Sequence, residues 1–166
     1  MSDITDFITS AATIVGRDEL FTDTETLSAY AADEFASEDI ACVPAVVFKP
    51  RSESAVAAIM KLCNETRTPV TARGGGTGLS GGCVPAENGV VISTERLTSI
   101  KKIDPVNQTV TAEAGVSLSE LFSHVEDANL FFPPHPGDES AVMGGIVATN
   151  AGGSRAVKYG TVRDFV

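Results

Sequence analysis

The amino-acid sequence predicts an α+β fold built from two small lobes, and three observations lead to that prediction. The 166 residues are 43% hydrophobic and 20% charged, and contain no low-complexity run, as in a chain that folds around a core. Apolar periodicity switches between the strand and helix periods along the chain. The order strand, capped helix, glycine-rich loop also occurs twice. We therefore predict a helical segment over residues 1–42, a first lobe over 43–105 and a second lobe over 106–166.

The helical segment and the first lobe contain three predicted helices. Apolar residues share one face over residues 3–15, where Ser2 is the candidate N-cap, and a shorter helix is predicted near 25–32. Ser52 is predicted to cap the third helix. The apolar face of that helix has four predicted members: Val56, Ile59, Met60 and Cys63. Three compact apolar runs predict strands at 43–48, 69–73 and 89–94.

The second lobe repeats this order of elements. A strand is predicted over 109–114, and residues 100–103 are expected to begin another. Ser117 and Glu120 have the spacing of a capping box, which predicts the start of a helix over 118–128. The predicted apolar side of that helix is Leu118, Leu121, Phe122 and Val125. The Phe-Phe-Pro-Pro run that follows is expected to be extended, because proline excludes a helix there.

Charge limits the partners that this chain can have. Twelve Lys and Arg residues against 22 Asp and Glu residues give a net charge of −10. A chain this acidic repels a nucleic-acid backbone, so no nucleic-acid partner is expected. Any phosphate ligand would have to be held by backbone N–H groups and a few local cations.

The cysteines and the N-terminus predict the compartment. Cys42, Cys63 and Cys83 are far apart and odd in number, so neither a metal site nor a disulfide framework is predicted. Reduced thiols favour a cytoplasmic protein. The N-terminus lacks the pattern of a signal peptide, and no stretch approaches the ~20 apolar residues of a membrane span.

The first glycine-rich string runs from Arg73 to Gly82 and reads Arg-Gly-Gly-Gly-Thr-Gly-Leu-Ser-Gly-Gly. A backbone without Cβ atoms can turn consecutive N–H groups into one concavity that binds an anion. Thr77 and Ser80 can add hydroxyl donors, and Arg73 can add a cation. The alternative is a flexible surface loop without a ligand.

A dinucleotide-binding pattern is contained in this string but is rejected. Residues 76–81 fit G-x-G-x-x-G, and Glu95 follows at about the distance of a ribose-binding acid. That pattern must open a helix, whereas residues 81–89 contain three glycines and a proline. No helix of ~10 residues fits before the next strand. The Gly-Lys-Ser/Thr of a Walker A loop is also missing.

A second glycine-rich string, residues 144–153, reads Gly-Gly-Ile-Val-Ala-Thr-Asn-Ala-Gly-Gly. Its small residues suggest that something flat and large lies against the backbone. Residues 143–149 could form a helical turn whose N-terminus faces an anion. In the alternative interpretation, the two Gly-Gly pairs only allow backbones to pack tightly against each other.

These two strings, together with Tyr-Gly-Thr-Val-Arg-Asp at 159–164, resemble the FAD-linked oxidase family. These are the vanillyl-alcohol-oxidase-like flavoproteins with a two-lobed PCMH-type FAD-binding domain. The resemblance extends from about Val43 to the end of the chain. Within the family, the motifs are most similar to those of the D-lactate dehydrogenase and glycolate oxidase branch. Members of the family continue beyond the third motif. The resemblance therefore implies an N-terminal fragment with an incomplete second lobe, and exposed core that favours a homo-oligomer.

The resemblance implies FAD as the cofactor and assigns its contacts by position. The first loop would wrap the diphosphate through Val70, Ala72, Arg73, Gly74, Gly75, Gly76, Thr77, Gly78, Leu79 and Ser80. The second segment would lie along the rest of the cofactor through Pro136, Gly137, Ser140, Met143, Gly144, Ala148, Thr149, Gly152 and Gly153. No histidine lies between Arg73 and Gly82, so the FAD is expected to be non-covalent. His135 stands where many relatives have aspartate and is interpreted as a turn residue against the cofactor.

The activity implied by the resemblance is oxidation of a 2-hydroxy acid, a small-molecule substrate, by hydride transfer to the flavin. The reaction needs a base and a cation for the carboxylate, and the sequence identifies neither. His124 is interpreted as a solvated helix residue. Arg155, Lys158 and Arg163 are more often solvated surface charges than ligands.

Two alternatives to an active dehydrogenase stay open. The chain could be a non-catalytic flavin-binding module that keeps the fold without productive chemistry. It could also belong to the related flavin reductases of peptidoglycan precursor synthesis, although the Ala-Thr-Asn-Ala-Gly-Gly string favours the oxidase branch.

Overall fold

The computed structural model of the protein describes residues 4–34 and 40–166, which form two compact units. The units are Met1–Arg96 and Leu97–Val166. Both contain helices and strands, which confirms the predicted α+β fold class. The domain bounds predicted from the sequence stay a prediction. None of the helices in the described ranges has the length and apolar run that a membrane crossing requires.

The first unit is built on a four-stranded sheet. Its strands are β1 (Leu20–Phe21), β2 (Val46–Phe48), β3 (Val70–Arg73) and β4 (Val90–Ser93), in the order β1-β2-β4-β3. Strands β2 and β3 both pair with β4 in parallel, whereas β1 pairs with β2 in the antiparallel direction. Every residue of β2 and β4 is buried, because both strands are rich in valine and lie inside the sheet.

Helices α1 (Ile4–Ala11), α2 (Thr24–Ala29) and α3 (Glu53–Thr66) accompany this sheet. The Ser52 side chain accepts a hydrogen bond from the Ala55 N–H at 3.2 Å, which confirms the predicted cap of α3. The candidate cap Ser2 of α1 lies outside the described residues. Helix α2 begins after Asp23, and its C-cap is Tyr30.

The predicted apolar face of α3 needs one correction. Met60 is 45% exposed, whereas Ile59 and Cys63 are buried in the core with Phe7 and Phe48. Leu62 packs against this core in the place expected for Met60. The spacing i, i+3, i+4 defines an apolar stripe but does not fix on which side of Ile59 the sheet lies.

The second unit begins with a hairpin of β5 (Ile100–Asp104) and β6 (Thr109–Ala112), which pair in the antiparallel direction. The predicted lobe boundary, between residues 105 and 106, falls in the turn of this hairpin. Helices α4 (Leu118–Asp127), α5 (Met143–Ala148) and α6 (Ala156–Tyr159) follow, and a 3₁₀ helix covers Val162–Phe165.

The capping box at the start of α4 is confirmed. The Ser117 hydroxyl accepts from the Glu120 N–H at 3.2 Å, and the Glu120 carboxylate accepts from the Ser117 N–H at 3.0 Å. The buried side of α4 faces the core of the second unit, where Leu118, Leu121 and Val125 pack with Val116 and Ile146. Phe122 is partly buried at the edge of this core.

Candidate functional site

The first glycine loop starts where β3 ends and does not open a helix. Residues 74–89 form bends and turns up to the start of β4, which confirms that the dinucleotide-binding pattern is false here. The parallel strands β2, β3 and β4 end at one edge of their sheet, and the loop begins at that edge. In open sheets with parallel strands, ligands bind outside this edge.

The backbone N–H groups of the first loop have no acceptors in the described part of the chain. No hydrogen bond between described residues is donated by an N–H from Gly74 to Cys83. The loop is nevertheless tied down at one point, where the Glu34 N–H donates to the Gly76 carbonyl at 3.2 Å. Amides that are open but held in place are the donors that a phosphate group needs.

The predicted contacts in this loop differ in exposure. Gly76 is buried, Val70, Arg73, Gly74 and Thr77 are half-buried, and Ala72, Gly75, Gly78, Leu79 and Ser80 are exposed. Leu79 is 66% exposed, so its side chain is accessible to a ligand. The structure therefore brings most of the predicted contacts to the surface of the first unit.

Arg73 folds back over its own loop. Its Nη1 donates to the Ala32 carbonyl at 2.6 Å, and its Cζ lies 5.1 Å from the centroid of the Tyr30 ring. Gly76 has φ +77°, and a Cβ there would lie 2.7 Å from the Arg73 Cζ. The positive φ disfavours any side chain at this position, and an added Cβ would also displace the Arg73 guanidinium from its contacts.

A polar cluster that the sequence did not predict lies beside Arg73. It consists of Tyr30, Lys49, Ser93 and Glu95. The Tyr30 hydroxyl and the Ser93 hydroxyl, the latter at 3.0 Å, donate to Glu95, and the Lys49 ammonium lies 3.0 Å from the same carboxylate. The signal that could have found this cluster is topological, since Lys49 and Glu95 follow the ends of two parallel strands.

The cluster shifts the pKa values of its members. Burial by itself raises the pKa of Glu95, but the hydrogen bonds from Tyr30 and Lys49 outweigh burial and hold it below its usual value. Burial and the Glu95 carboxylate raise the pKa of the Tyr30 hydroxyl. The pKa of Lys49 is also raised, because its bonds to Tyr30 and Glu95 overcome the opposing effect of burial. The cluster is thus an ion pair with a neutral tyrosine at neutral pH.

The second glycine string forms α5 and the turn after it. The helical turn predicted over 143–149 is present, but its first amides are used internally. The Met143 N–H donates to the Val116 carbonyl and the Gly144 N–H to the Ala114 carbonyl, each at 2.8 Å. These two amides are therefore not available to an anion, contrary to the interpretation of the turn as an anion-facing N-terminus.

Two glycines of this string serve backbone packing. A Cβ on Gly144 would lie 2.8 Å from the Ala114 Cβ. Gly153 pairs with His135 in a parallel bridge, and a Cβ there would lie 2.6 Å from the His135 carbonyl carbon. The alternative interpretation, in which the Gly-Gly pairs allow close packing, is confirmed for these two positions. Their predicted contacts with a cofactor stay predictions.

The other predicted contacts of the second unit lie at or near its surface. Gly137, Ser140, Ala148, Thr149 and Gly153 are exposed, whereas Pro136, Met143, Gly144 and Gly152 are half-buried. Ser140 is engaged locally, because its N–H and hydroxyl both donate to Asp138 Oδ1, at 2.9 and 2.7 Å. The Thr149 hydroxyl donates to the Gly145 carbonyl at 3.0 Å.

The second and third motifs meet in the structure. The Asn150 side chain accepts from the Arg163 N–H at 2.9 Å, and the Val162 N–H donates to the Ala151 carbonyl at 3.1 Å. Val162 is fully buried, which fixes this junction in the core of the second unit. The string 159–164 therefore holds the end of the glycine segment in place.

The histidines and cations of the second unit have local partners. His124 is exposed, as predicted, and its Nδ1 lies 2.8 Å from the Glu120 carbonyl. His135 stacks on Phe122 with ring centroids 5.5 Å apart, and its Nε2 lies 3.1 Å from Glu139. The Arg155 guanidinium lies 5.2 Å from the centroid of the Phe131 ring. In the described residues, no group of three His, Cys, Asp or Glu side chains is placed to hold a metal ion.

Comparison with known proteins gives one consistent result. A family model described as "FAD binding domain" matches residues 44–166. The chain is 52% identical over 121 residues to a D-lactate dehydrogenase of Archaeoglobus fulgidus, an alignment that covers 73% of this chain and 27% of that protein. It is 38% identical over 125 residues to glycolate oxidase subunit GlcD of Bacillus subtilis, covering 75% of this chain and 27% of the relative.

Solved structures share the fold at lower sequence identity. An alkyldihydroxyacetonephosphate synthase matches with a TM-score of 0.86 and 19% identity, covering 96% of this chain and 34% of the other. At this identity the match establishes the fold. The chain spans about a quarter of the length of the two curated relatives, 27% in both cases.

Proposed function

Because the chain belongs to the FAD binding domain family, we propose that it provides the flavin-binding part of an FAD-dependent dehydrogenase that oxidises a 2-hydroxy acid. FAD is the cofactor of this family. The substrate class is taken from the activities that name two similar proteins, a D-lactate dehydrogenase and a glycolate oxidase subunit. Both are oxidoreductases, so the proposed reaction is of that class.

One observation carries the proposal for the first unit. The N–H groups from Gly74 to Cys83 donate to no acceptor in the described residues, although Gly76 is held in place. A diphosphate offers acceptors to several such amides at once. Because the chain has a net charge of −10, these local donors must outweigh a repulsive overall charge. We assign the diphosphate of FAD to the amides of Gly74 to Ser80.

The second unit contributes contacts of another kind. Ala148, Thr149 and Gly152 lie around the end of α5, and Gly137 and Ser140 precede it. Since the first amides of α5 are already used, we assign flat contact with the cofactor to these small residues rather than charge neutralisation. The third motif supports them by holding Asn150 and Ala151 through Arg163 and Val162.

The chemistry proposed for the complete protein is hydride transfer. When bound, FAD supplies a flavin ring that accepts a hydride from the carbon bearing the substrate hydroxyl group. The residues of this chain bind and orient the cofactor. We assign the catalytic base and the carboxylate-binding cation to no residue of this chain.

The experiment is direct binding of FAD to the purified chain. Added FAD should be retained through gel filtration, and its fluorescence should change on titration with the protein. Riboflavin, which lacks both the diphosphate and the adenosine, should bind at least about 10- to 100-fold more weakly, because the charge-assisted hydrogen bonds to the amides are lost together with the adenosine contacts. Equal affinity for FAD and riboflavin would contradict a site for the diphosphate.

Three further properties belong to this proposal. The FAD is non-covalent, because no histidine lies between Arg73 and Gly82, so acid precipitation of the protein should release it. Self-association stays a prediction that gel filtration would test. The cytoplasmic location predicted from the cysteines also stays a prediction.

A further inference from the structure

The polar cluster of the first unit stands beside the first glycine loop. Three charged residues mark the ends of the unit's parallel strands. Lys49 directly follows β2, Arg73 is the last residue of β3, and Glu95 lies two residues after β4. Because these strands are parallel, the three charged residues share one edge of the sheet. Tyr30, the C-cap of α2, is only 9% exposed and contacts all three of them.

Two cations, those of Lys49 and Arg73, lie close to the Tyr30 ring. The Lys49 ammonium lies 4.8 Å from the ring centroid, and the Arg73 Cζ lies 5.1 Å from it. Both distances are within the range of cation–π contacts, which are stronger where water is excluded. The Tyr30 hydroxyl meanwhile donates to Glu95, which also binds Lys49. The ring is therefore fixed at its hydroxyl end and offers its face to Arg73.

Arg73 connects the Tyr30 ring to the glycine loop. Its Nη1 is bound to the Ala32 carbonyl at 2.6 Å, and its guanidinium fills the space that a side chain at Gly76 would need. The backbone of the loop thus turns around the guanidinium, and the Glu34 N–H holds the Gly76 carbonyl from the other side at 3.2 Å. A guanidinium with these contacts is committed to the protein.

We infer that Tyr30 is a positioning residue for the glycine loop, acting through Arg73. Arg73 is the internal anchor around which the loop amides are arranged, rather than a direct ligand of phosphate. Tyr30 and Arg73 thereby preorganise the loop before a ligand binds. This role rests on the proposed function, because the arranged amides are those that bind the diphosphate of FAD.

The first test does not involve flavin. Trypsin binds arginine side chains in its specificity pocket, so it cleaves after Arg73 only when the guanidinium leaves the Tyr30 ring. Tyr30→Leu should raise the rate of cleavage between Arg73 and Gly74 by about 5- to 30-fold, because the ring face is lost. Tyr30→Phe keeps the face but loses the hydroxyl bond to Glu95, so its rate should lie between those of the wild type and Tyr30→Leu.

The matched control is Phe21→Leu. The centroid of the Phe21 ring lies 5.1 Å from the ammonium of Lys49, a member of the same cluster, and 5.5 Å from the guanidinium of Arg96. Arg73, in contrast, is stacked on Tyr30. This variant removes a ring that packs against the same small core as Tyr30 but leaves the Tyr30 face beside Arg73 in place, so cleavage after Arg73 should accelerate much less than in Tyr30→Leu. Equal acceleration in Phe21→Leu and Tyr30→Leu would show a general loss of stability and would overturn the inference. Equal acceleration in Tyr30→Phe and Tyr30→Leu would also overturn the inference.

The second test measures FAD affinity at several salt concentrations. Arg73→Gln and Tyr30→Leu should weaken binding to a similar extent, and the double variant should be no weaker than either single one. The slope of log Kd against log salt should be the same in Arg73→Gln as in the wild type. A clearly smaller slope in Arg73→Gln would show that Arg73 pairs with phosphate and would overturn the inference.

The two proposals fail separately. A wild-type chain that takes up no FAD would contradict the proposed function, while the trypsin assay would still decide whether Tyr30 holds Arg73. A wild-type chain that binds FAD, with Tyr30→Leu binding equally well, would leave the proposed function intact and refute the positioning role.

Discussion

Gly144 lies directly against Ala114: its N–H donates to the Ala114 carbonyl at 2.8 Å, and a Cβ on Gly144 would also come within 2.8 Å of the Ala114 Cβ. The contact joins the start of α5 to the segment that follows β6. Hydrogen bond and close packing require each other here, because the amide reaches its acceptor only when no side chain separates the two backbones. Gly144 thus has a role in folding that is independent of any cofactor.

Gly144→Ala should therefore destabilise the protein. We expect the free energy of unfolding to fall by about 1–3 kcal/mol, the usual effect of forcing an extra methyl group into a packed site. Urea unfolding followed by circular dichroism would measure it. Gly145→Ala is the matched control, because the nearest atom to its added Cβ would be Val142 Cγ2 at 3.9 Å. Equal destabilisation by both variants would refute the packing role.

Gly76→Ala should weaken FAD binding far more than Gly81→Ala. The two glycines have nearly equal φ angles of +77° and +72°, so the cost of backbone strain is similar. Only at Gly76 would the added Cβ meet the Arg73 guanidinium, since at Gly81 the nearest atom is Val84 Cγ2 at 3.9 Å. We expect a difference in Kd of about tenfold or more, measured by fluorescence titration. Similar losses in both variants would mean that strain alone matters.

Ser117→Ala should destabilise α4 without affecting the first unit. Loss of the hydroxyl leaves the Glu120 N–H without its acceptor and should lower the free energy of unfolding by about 1 kcal/mol. Ser123→Ala, at an exposed position within the same helix, is the control and should change stability by only a few tenths of a kcal/mol. Thermal unfolding of both variants would compare them, and a neutral Ser117→Ala would argue against the cap.

Glu95→Gln should make stability less dependent on pH. Because folding lowers the pKa of Glu95, its ionised form stabilises the protein above the unfolded-state pKa of about 4.3. That contribution is lost as the pH falls through the folded-state pKa. The wild type should therefore exceed Glu95→Gln in unfolding free energy at neutral pH, and the gap should narrow in acid. Glu87→Gln, which removes an exposed carboxylate, is the control. A constant gap would contradict the assignment.

The elements that could be predicted depend on neighbours in the sequence. The caps at Ser52 and Ser117 bind groups three residues away, and the valine-rich runs of β2 and β4 carry their own signal of burial. The absence of a helix after the first loop also followed from local glycine and proline. The exposure of the Met60 side chain could not be predicted, because it depends on where the sheet lies against α3.

The family and the cofactor could be predicted from the two glycine-rich strings and the third motif, because these depend on residue types in a fixed local order. The roles of individual glycines follow from the folded chain: Gly76 admits the Arg73 guanidinium, Gly144 admits Ala114, and the amides from Gly74 to Cys83 find no acceptor in the described residues. The tertiary structure also brought Tyr30 to Glu95, 65 residues away. Contacts between residues so far apart depend on strand order and register, which no local pattern encodes.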